Sequence, residues 1–454
     1  MHSADAEPPQ KSNSQFPRSR QEVRAVTSGA LGSALEFFDF AIYGALAATL
    51  FPKLFFQDLG AGNALLASFA TFGVGFIARP LGALIFGHLG DRYGRRRILM
   101  ITLIVMGVST ALIGFLPAGQ GMLVASVLVL LRFLQGFSLG GEATGNQLMV
   151  IEHAHRSRRG VLSSIVQAGS PASQVFALLT LTILNAVLSE AQWESWGWRI
   201  PFVGGLMIVC IAAYIRRSLE ETPAFLVLKG GEKSTAIRYR SGFKELRENP
   251  ARVVRLVIAL GGTNFSYYVV AVYGIAYLNN SVGLTTDETF FVLMVANAIS
   301  ILAAIAGGMV SDRFGRKRPV IAANCMLIIG VALFFTLASS VSLLIITIIT
   351  SLTLSSVQFA NGIQPTLFAE QFPTRNRFAG SAISLTLSAM IFASFAPLIA
   401  AAVTRVGGTL SVLLLTVLLL AISIAALTTL TDNSRADLAS FSGIETETAG
   451  MAEI

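Results

Sequence analysis

Four ionisable side chains lie deep inside long apolar stretches of this sequence. They are two acids, Glu36 and Asp39, and two bases, Arg79 and Arg132. An ionisable residue at membrane depth costs at least about 2.5–3.5 kcal/mol, so such residues usually face a water-filled cavity or a charged partner. A carboxyl group in that setting can bind and release a proton, and a guanidinium fork can bind a carboxylate through two hydrogen bonds. These residue types therefore predict proton exchange and anion binding.

The spacing of these residues places the four charges at a similar depth. Glu36, Asp39 and Tyr43 are spaced i, i+3 and i+7, so they share one face of a helix. At 1.5 Å per residue, the two acids lie roughly 15–20 Å from the start of their apolar run. Arg79 lies about 18 Å from the charged loop that ends its run, and Arg132 lies about 15 Å into its own run. Because the apolar core of a membrane is about 30 Å thick, all four are expected near its middle.

We expect Arg132, together with Arg79, to bind a substrate carboxylate, and Asp39 or Glu36 to carry a proton. Glu142 is a third candidate for proton coupling, about 15 Å nearer the cytoplasm than Arg132. The alternative is that the acids and arginines form structural ion pairs that hold the first half of the chain together.

Uncharged polar side chains complete the predicted substrate site. They are Tyr43 and Gln135 in the first half, and Asn264, Tyr267, Tyr268, Gln358 and Asn361 in the second. Gln358 and Asn361 are three residues apart and share a face of one helix, so we expect that face to line a cavity. The alternative is hydrogen bonding between helices, which is common for amides in membranes.

The composition of the whole chain requires a membrane to surround these residues. Of the 454 residues, 54% are hydrophobic and only 13% are charged, with a mean hydropathy of +0.68. A soluble domain usually carries about 25% charged residues, because its exterior must be largely polar. This composition excludes an ordinary soluble enzyme and predicts a polytopic membrane protein.

Twelve apolar runs can be placed along the chain, which predicts an all-α bundle of twelve transmembrane helices. They cover residues 26–51, 63–89, 98–116, 122–150, 160–188, 199–216, 253–278, 289–310, 319–338, 342–369, 379–403 and 408–430.

The distribution of basic residues predicts the orientation of these helices. Of the 33 Lys and Arg residues, 28 lie in the two tails and in alternate connections, and three lie in the others. Cytoplasmic loops carry this excess, so we expect both termini in the cytoplasm. We expect the membrane to be the inner membrane of a bacterium. The net charge of +8 is thereby explained without nucleic acid. We predict a tail at 1–25, a six-helix domain at 26–216, a linker at 217–252, a second six-helix domain at 253–430 and a tail at 431–454, with tails and linker cytoplasmic.

One loop motif occurs twice, 221 residues apart, between the second and third runs of each half. The segments Gly87–Arg97 and Gly308–Arg318 both follow the pattern Gly-x-x-x-Asp-Arg-x-Gly-Arg. The acids can cap a following helix or pair with arginines across the gap between the halves, and we expect such pairs to hold a gate. The predicted gating residues are Gly87, Asp91, Arg92, Gly94, Arg95, Asp312, Arg313, Gly315 and Arg316. The alternative is that these loops only set topology and cap helices.

This repeated loop resembles the signature loop of the major facilitator superfamily. Five further segments resemble its metabolite:proton symporter family, the group of citrate, 2-oxoglutarate, shikimate and proline/betaine transporters. They are Gly32–Phe40, Arg79–Gly82, Arg132–Glu142, Trp196–Phe202 and Glu221–Phe225. Phe37 departs from the family pattern, which often has Trp there. The resemblance implies two pseudo-symmetric six-helix halves and proton-coupled uptake of a small charged metabolite, without fixing the substrate.

We therefore predict a secondary active transporter that takes up a small organic acid or zwitterion with protons by alternating access. The alternatives are an uncoupled facilitator or exporter, and a membrane nutrient sensor that does not transport. We expect no enzyme activity, no cofactor, no metal site and no nucleic-acid partner, with a proton gradient as the driving force. The expected partners are the small molecule, protons and the lipid bilayer, and the expected state is a monomer.

Overall fold

The computed structural model describes residues 34, 37–93, 95–117, 119, 121–140, 158–205, 247, 250–372 and 377–434, without the side chains of 84, 87, 88, 90–93, 95–97, 99, 378 and 379. Seven predicted residues are affected. Glu36, Glu142 and Gly94 lie outside the described residues, and so do the side-chain positions of Gly87, Asp91, Arg92 and Arg95.

The first half contributes six helices. They are α1 (Phe37–Thr49), α2 (Ala61–Tyr93), α3 (Arg95–Gly114), α4 (Met122–Leu139), α5 (Arg159–Val187) and the first turns of α6 (200–205). α5 contains an irregular turn at Ala168, three residues before Pro171. Short helices at Phe51–Phe55 and Glu190–Ser195 lie in the connections after α1 and α5.

The second half contributes the other six. They are α7 (Pro250–Val282), α8 (Thr286–Phe314), α9 (Lys317–Leu337), α10 (Leu343–Ala369) and α11, which begins with Arg377–Ser388. The helix Ala396–Thr428 completes α11, is broken at Gly408, where φ is 71°, and continues as α12 (409–428). π-Helical turns interrupt α7 at Val269–Tyr273 and α11 at Ala389–Ala393, and a further one ends α7 at Leu278–Val282.

These helices confirm the predicted all-α fold, since each predicted apolar run contains one. Eight described segments are long and apolar enough to cross a membrane. Many large apolar side chains lie on the outside of the bundle, among them Leu302, Leu344 and Leu414. An exterior of this kind is typical of a surface in contact with lipid.

Glycines allow one pair of helices in each half to pack backbone against backbone. A Cβ at Gly136 of α4 would lie 1.8 Å from the carbonyl oxygen of Gly75 in α2. A Cβ at Gly362 of α10 would lie 2.1 Å from the carbonyl oxygen of Ala304 in α8. Both distances are far below contact, so neither position accepts a side chain without movement of a helix. The first of these contacts brings the arginines of α2 and α4 to the same place.

The two halves meet along several helices. α5 packs against α8, where Gly160 and Gly308 lie so close that a Cβ on either would clash with the other's backbone. α2 packs against α7, where the Phe72 and Tyr268 rings are 5.7 Å apart. α1 also reaches α7, since a Cβ at Gly44 would lie 3.2 Å from the side chain of Val272.

Candidate functional site

A hydrogen-bonded chain of four side chains links α1, α3 and α4 in the interior of the first half. Arg132 Nη1 donates to Gln135 Oε1 at 2.5 Å, and Gln135 Nε2 donates to Thr110 Oγ1 at 2.8 Å. Thr110 Oγ1 in turn donates to Asp39 Oδ2 at 3.1 Å. All four residues are buried. The chain therefore joins the predicted proton carrier to the predicted anion-binding arginine.

The Arg132 guanidinium is fully buried and lies against two aromatic rings of α1. Its central carbon lies 4.1 Å from the ring centroid of Phe40 and 4.1 Å from that of Tyr43. Cation–π attraction at such distances stabilises a desolvated guanidinium. Phe40 and Tyr43 are three residues apart on α1, so these contacts pack Arg132 of α4 against α1.

One edge of that guanidinium is free of hydrogen bonds within the described part of the chain. Arg132 Nε and Nη2 are both buried and have no hydrogen-bond partner there. These two nitrogens present parallel N–H groups, the arrangement that binds a carboxylate bidentately. Gly75 of α2 lies beside this edge, and a Cβ there would come within 3.1 Å of Nε.

Arg79 of α2 occupies the same aromatic cluster. Its guanidinium carbon lies 4.5 Å from the Phe40 centroid and 4.8 Å from the Phe76 centroid. The structure thus brings Arg79 and Arg132 to one shared ring, that of Phe40. Their joint role in binding a substrate stays a prediction. Arg132 also interacts electrostatically with Asp39 and Arg79.

Two tyrosines of α7 bring the second half to this cluster. The Tyr268 ring centroid is 5.3 Å from that of Phe76 and 4.9 Å from that of Tyr267. Tyr267 Oη accepts a hydrogen bond of 3.2 Å from Gln174 Nε2 on α5, so it also bridges the halves. Tyr43, by contrast, bonds within the first half, with its Oη 2.6 Å from Thr71 Oγ1.

The remaining predicted residues form separate contacts within the second half. Asn264 Nδ2 donates to Ser388 Oγ at 3.1 Å, which ties α7 to α11 next to a π-helical turn. Asn361 Nδ2 donates to Gln358 Oε1 at 3.2 Å along α10. Gln358 Nε2 and Asn361 Oδ1 are buried without a hydrogen-bond partner among the described residues. That pair therefore retains one donor and one acceptor.

Several residues of this site were not identified from the sequence. Thr110, Phe40, Phe76 and Gly75 look like ordinary members of apolar runs. Of these residues, only Thr110 could have been proposed from the sequence, because its hydroxyl lies at the depth of the buried charges. That proposal would also have required knowing that α3 faces Asp39.

The repeated loop of the second half forms a buried cluster at the end of α8. Asp312 Oδ1 and Oδ2 accept hydrogen bonds from the backbone N–H groups of Gly160 at 2.8 Å and Val161 at 3.0 Å. These groups belong to the N-terminal turn of α5, where unpaired N–H groups and the helix dipole favour a negative charge. The predicted contact across the gap exists, but Asp312 holds a helix end of the other half instead of an arginine.

Arg316 holds this acid from its own half. Its Nη1 lies 2.7 Å from Asp312 Oδ1, and its Nη2 lies 3.1 Å from Glu370 Oε1 at the end of α10. Burial raises the pKa of Glu370, although the Arg316 guanidinium and Arg159 of the other half oppose that shift. Arg313 is exposed over the Phe314 ring, and Gly315 adopts a positive φ of 87°. The loop thus divides into an ion pair, in which Arg316 is buried and Asp312 is half-buried, and an exposed arginine, Arg313.

Comparison with known proteins agrees with this architecture. The family model of the Major Facilitator Superfamily matches residues 29–389. The chain is 34% identical over 387 residues to the inner membrane metabolite transport protein YhjE of Escherichia coli K12, covering 83% of this chain and 87% of that protein. It is 33% identical to the proline/betaine transporter of the same strain, covering 83% and 77%. It is 31% identical to the shikimate transporter, covering 84% and 87%.

Among solved structures, the fold resembles the xylose transporter XylE from E. coli in a partially occluded inward-open conformation. The TM-score is 0.71 at 16% identity, covering 90% of this chain and 97% of that one. A proton:xylose symporter XylE structure with bound 6-bromo-6-deoxy-D-glucose gives a TM-score of 0.72, also at 16% identity, covering 91% and 95%. The twelve helices in two halves are thus the major facilitator fold, and the predicted resemblance is confirmed. The relatives named above are transporters. This chain is a multi-pass membrane protein that belongs to the major facilitator superfamily.

Proposed function

We propose that this protein is a proton-coupled uptake transporter for a small metabolite that carries a carboxylate, either an organic acid or a zwitterion. The observation that carries the proposal is the fully buried Arg132 guanidinium, which has a hydrogen-bonded connection to Asp39 and one edge without a hydrogen-bond partner among the described residues. A buried cation without an anion at that edge is poorly compensated, so a substrate carboxylate would complete it.

In this proposal the charge count determines what is bound. Among the described residues of this cluster, Arg79 and Arg132 supply two positive charges and Asp39 supplies one negative charge. Protonation of Asp39 removes that negative charge and increases the need for a carboxylate beside Arg132. Proton and anion therefore bind together, which is the requirement for symport.

The aromatic residues around the arginines select the rest of the substrate. Phe76 and Tyr268 present apolar ring surface from both halves at the same site. A small apolar or cationic group attached to the carboxylate could pack there, since ring faces attract cations and exclude water. The relatives named for proline/betaine and shikimate are consistent with a compact carboxylate of this kind.

Alternating access requires contacts that form on one side and break on the other. The Asp312 carboxylate accepts charge-assisted hydrogen bonds from the N-terminal turn of α5 and so joins the two halves. We propose that this contact forms when the cytoplasmic side is closed and breaks when it opens. We assign Asp312 and Arg316 to the cytoplasmic gate, with both termini cytoplasmic and the inner membrane as location. Opening the gate breaks two hydrogen bonds and leaves Arg316 to hold Asp312.

Uptake into liposomes tests this function. Purified protein is reconstituted, an inward proton gradient is imposed, and radiolabelled proline, glycine betaine, shikimate, citrate and 2-oxoglutarate are supplied separately. We expect at least one to accumulate above its external concentration, and accumulation to stop when a protonophore removes the gradient. Equilibration without accumulation would instead indicate a facilitator, and transport of none of the five would contradict the proposed substrate class.

A further inference from the structure

The hydroxyl of Thr110 lies where three polar groups of different helices meet. Thr110 Oγ1 lies 3.1 Å from Asp39 Oδ2, 2.8 Å from Gln135 Nε2 and 2.9 Å from the carbonyl oxygen of Met106 one turn earlier in α3. Thr110 and Asp39 are each at most 5% exposed, so these contacts lie away from the protein surface. The Thr110 hydroxyl is therefore the group that links Asp39 to Gln135.

The chemistry of the partners fixes the direction of most of these bonds. Arg132 can only donate, so the side-chain oxygen of Gln135 faces it and the amide nitrogen faces Thr110. Thr110 consequently accepts one hydrogen bond from Gln135. A hydroxyl has a single proton and two lone pairs, so Thr110 can donate to Asp39 or to the Met106 carbonyl, but not to both.

The choice between these acceptors follows the protonation of Asp39. An ionised carboxylate only accepts, so Thr110 then donates to it, and a continuous chain runs from Arg132 through Gln135 and Thr110 to Asp39. A protonated Asp39 can donate its proton to the second lone pair of Thr110, whose own proton then turns to Met106. Both arrangements keep the hydrogen bonds of Thr110 to Asp39 and Gln135. Apart from the proton on Asp39, they differ by a rotation about the Cβ–Oγ1 bond of Thr110.

The two arrangements differ in how well Arg132 is compensated. In the ionised state the four groups are aligned donor to acceptor, which strengthens each bond in the chain. In the protonated state the direction reverses at Thr110, and Asp39 no longer offers Arg132 a negative charge. The free Nε and Nη2 edge then binds an external carboxylate more strongly than before.

We propose that Thr110 and Gln135 act as positioning residues that transmit protonation of Asp39 to Arg132, so that a proton on Asp39 raises the affinity of Arg132 for a carboxylate. This inference rests on the proposed function and assigns its coupling to two further residues. Among the described residues, the other charged or titratable groups that act on this hydrogen-bonded chain are Tyr43 on α1, Arg79 on α2 and Tyr268 on α7. Glu36, one turn before Asp39, is outside the described residues.

The experiment measures carboxylate binding to the full-length protein by calorimetry between pH 5.5 and 8, with acetate, proline, glycine betaine and shikimate as separate probes. For the wild type we expect the affinity for at least one probe to rise about tenfold as the pH falls, within the usual range of about 5–150-fold for coupled sites. Thr110→Val should reduce this ratio to about twofold or less. Thr110→Ser, which keeps the hydroxyl, should keep most of it.

Thr263→Val is the matched control, because Thr263 also donates a buried hydrogen bond, at 2.9 Å to Asn324 Oδ1, but in the second half. It should keep the wild-type ratio. Gln135→Leu interrupts the hydrogen-bonded chain between Arg132 and Thr110, so it should reduce the ratio of affinities at low and high pH as Thr110→Val does. This second variant keeps the test valid if Thr110→Val does not fold. If Gln135→Leu instead lowers affinity equally at every pH, Gln135 is a direct substrate contact and the relay is wrong.

Asp39→Asn separates the two claims. If it removes the pH dependence while Thr110→Val and Gln135→Leu retain the wild-type ratio, the relay is overturned and Asp39 remains the proton site. If Asp39→Asn retains the pH dependence, the proton assignment itself is wrong. Failure of all four probes to bind the wild type would overturn the carboxylate claim, and the relay with it.

Discussion

The two halves of this protein repeat one fold but place their buried charges differently. The first half holds Asp39, Arg79 and Arg132 around the interior aromatic cluster. In the described second half, the buried charged residues are Arg316, Glu370 and Arg377, all next to helix ends. The two halves thus share their helix packing but differ in where charge is buried. We infer from this difference that the interior charges of the first half serve binding and that the charges at helix ends in the second half serve gating.

The interior of the second half carries uncharged groups instead. Gln358 and Asn361 each keep one unsatisfied hydrogen-bonding atom within the described part of the protein. The π-helical turns that the structure describes also lie in this half, at Val269–Tyr273, Leu278–Val282 and Ala389–Ala393. Such turns occur frequently at functional sites. We infer that the first half supplies the charge that binds substrate, and the second half supplies adaptable polar contacts.

Arg132→Lys tests the proposal that the first half binds substrate through the Arg132 guanidinium, and it should have the largest effect on affinity. Lysine keeps the charge but loses the planar edge that binds a carboxylate through two hydrogen bonds, so we expect affinity to fall by about 100-fold, or about 2.7 kcal/mol. Calorimetry with the transported substrate measures this. Arg313→Lys, at an exposed arginine of α8, is the control and should change affinity less than twofold. Equal affinity for Arg132→Lys and wild type would mean that this edge does not bind substrate.

Asp312→Asn tests whether the contact between Asp312 of α8 and the N-terminal turn of α5 holds the two halves together. Hydrogen bonds to a charged group contribute about 1.5–3 kcal/mol, so losing the charge should favour opening between α5 and α8 by about 10-fold or more. Alkylation of an engineered Ser164→Cys, in a background without Cys210 and Cys325, measures that opening, because Ser164 lies buried against Gly308.

The control for that experiment lies at the opposite end of α8. Asp287 accepts a hydrogen bond of 2.7 Å from Asn185 of α5, so it also joins the halves, but at an exposed position. Asp287→Asn should leave the alkylation of Ser164→Cys unchanged. If Asp312→Asn leaves it unchanged as well, Asp312 does not hold the gate.

Gly75→Ala tests whether substrate binds at the Nε and Nη2 edge of Arg132, because it narrows the space beside that edge without changing any charge. The added methyl group would lie 3.1 Å from Nε, so a carboxylate must approach past it, and we expect roughly a five- to tenfold loss of affinity. Gly204→Ala is the control, because a Cβ there meets nothing within 4 Å. Gel filtration and thermal unfolding establish that both variants fold. Wild-type affinity in Gly75→Ala would place the substrate elsewhere.

Gln358→Ala should have the smallest effect, because an uncharged contact contributes less than a charged one. We expect a two- to fivefold loss of affinity with the same dependence on pH, since a single neutral hydrogen bond contributes about 1 kcal/mol. The control is Gln371→Ala, whose amide bonds Thr431 just beyond the end of α10. A change in the pH dependence for Gln358→Ala would show that the second half also takes part in proton coupling.

The sequence predicted the charged part of this site because charge inside an apolar run is rare and expensive. It could not predict Thr110 or Phe40, since a threonine or a phenylalanine in such a run has no distinctive cost. It predicted that Asp312 would act across the gap between the halves, but not its partner, because a backbone N–H carries no sequence signal. The helices themselves followed from composition, while the π-helical turns depend on packing that no periodicity records.

Asp39→Asn in liposomes tests the central claim most directly, which is that Asp39 couples the proton gradient to a substrate held by Arg132. The measurement compares accumulation driven by an imposed proton gradient with exchange of labelled for unlabelled substrate at equal pH on both sides. We predict that Asp39→Asn loses accumulation, by about 100-fold, and retains exchange, because exchange needs binding and movement but no net proton transfer. Accumulation at the wild-type level, with full dependence on the gradient, would contradict the account.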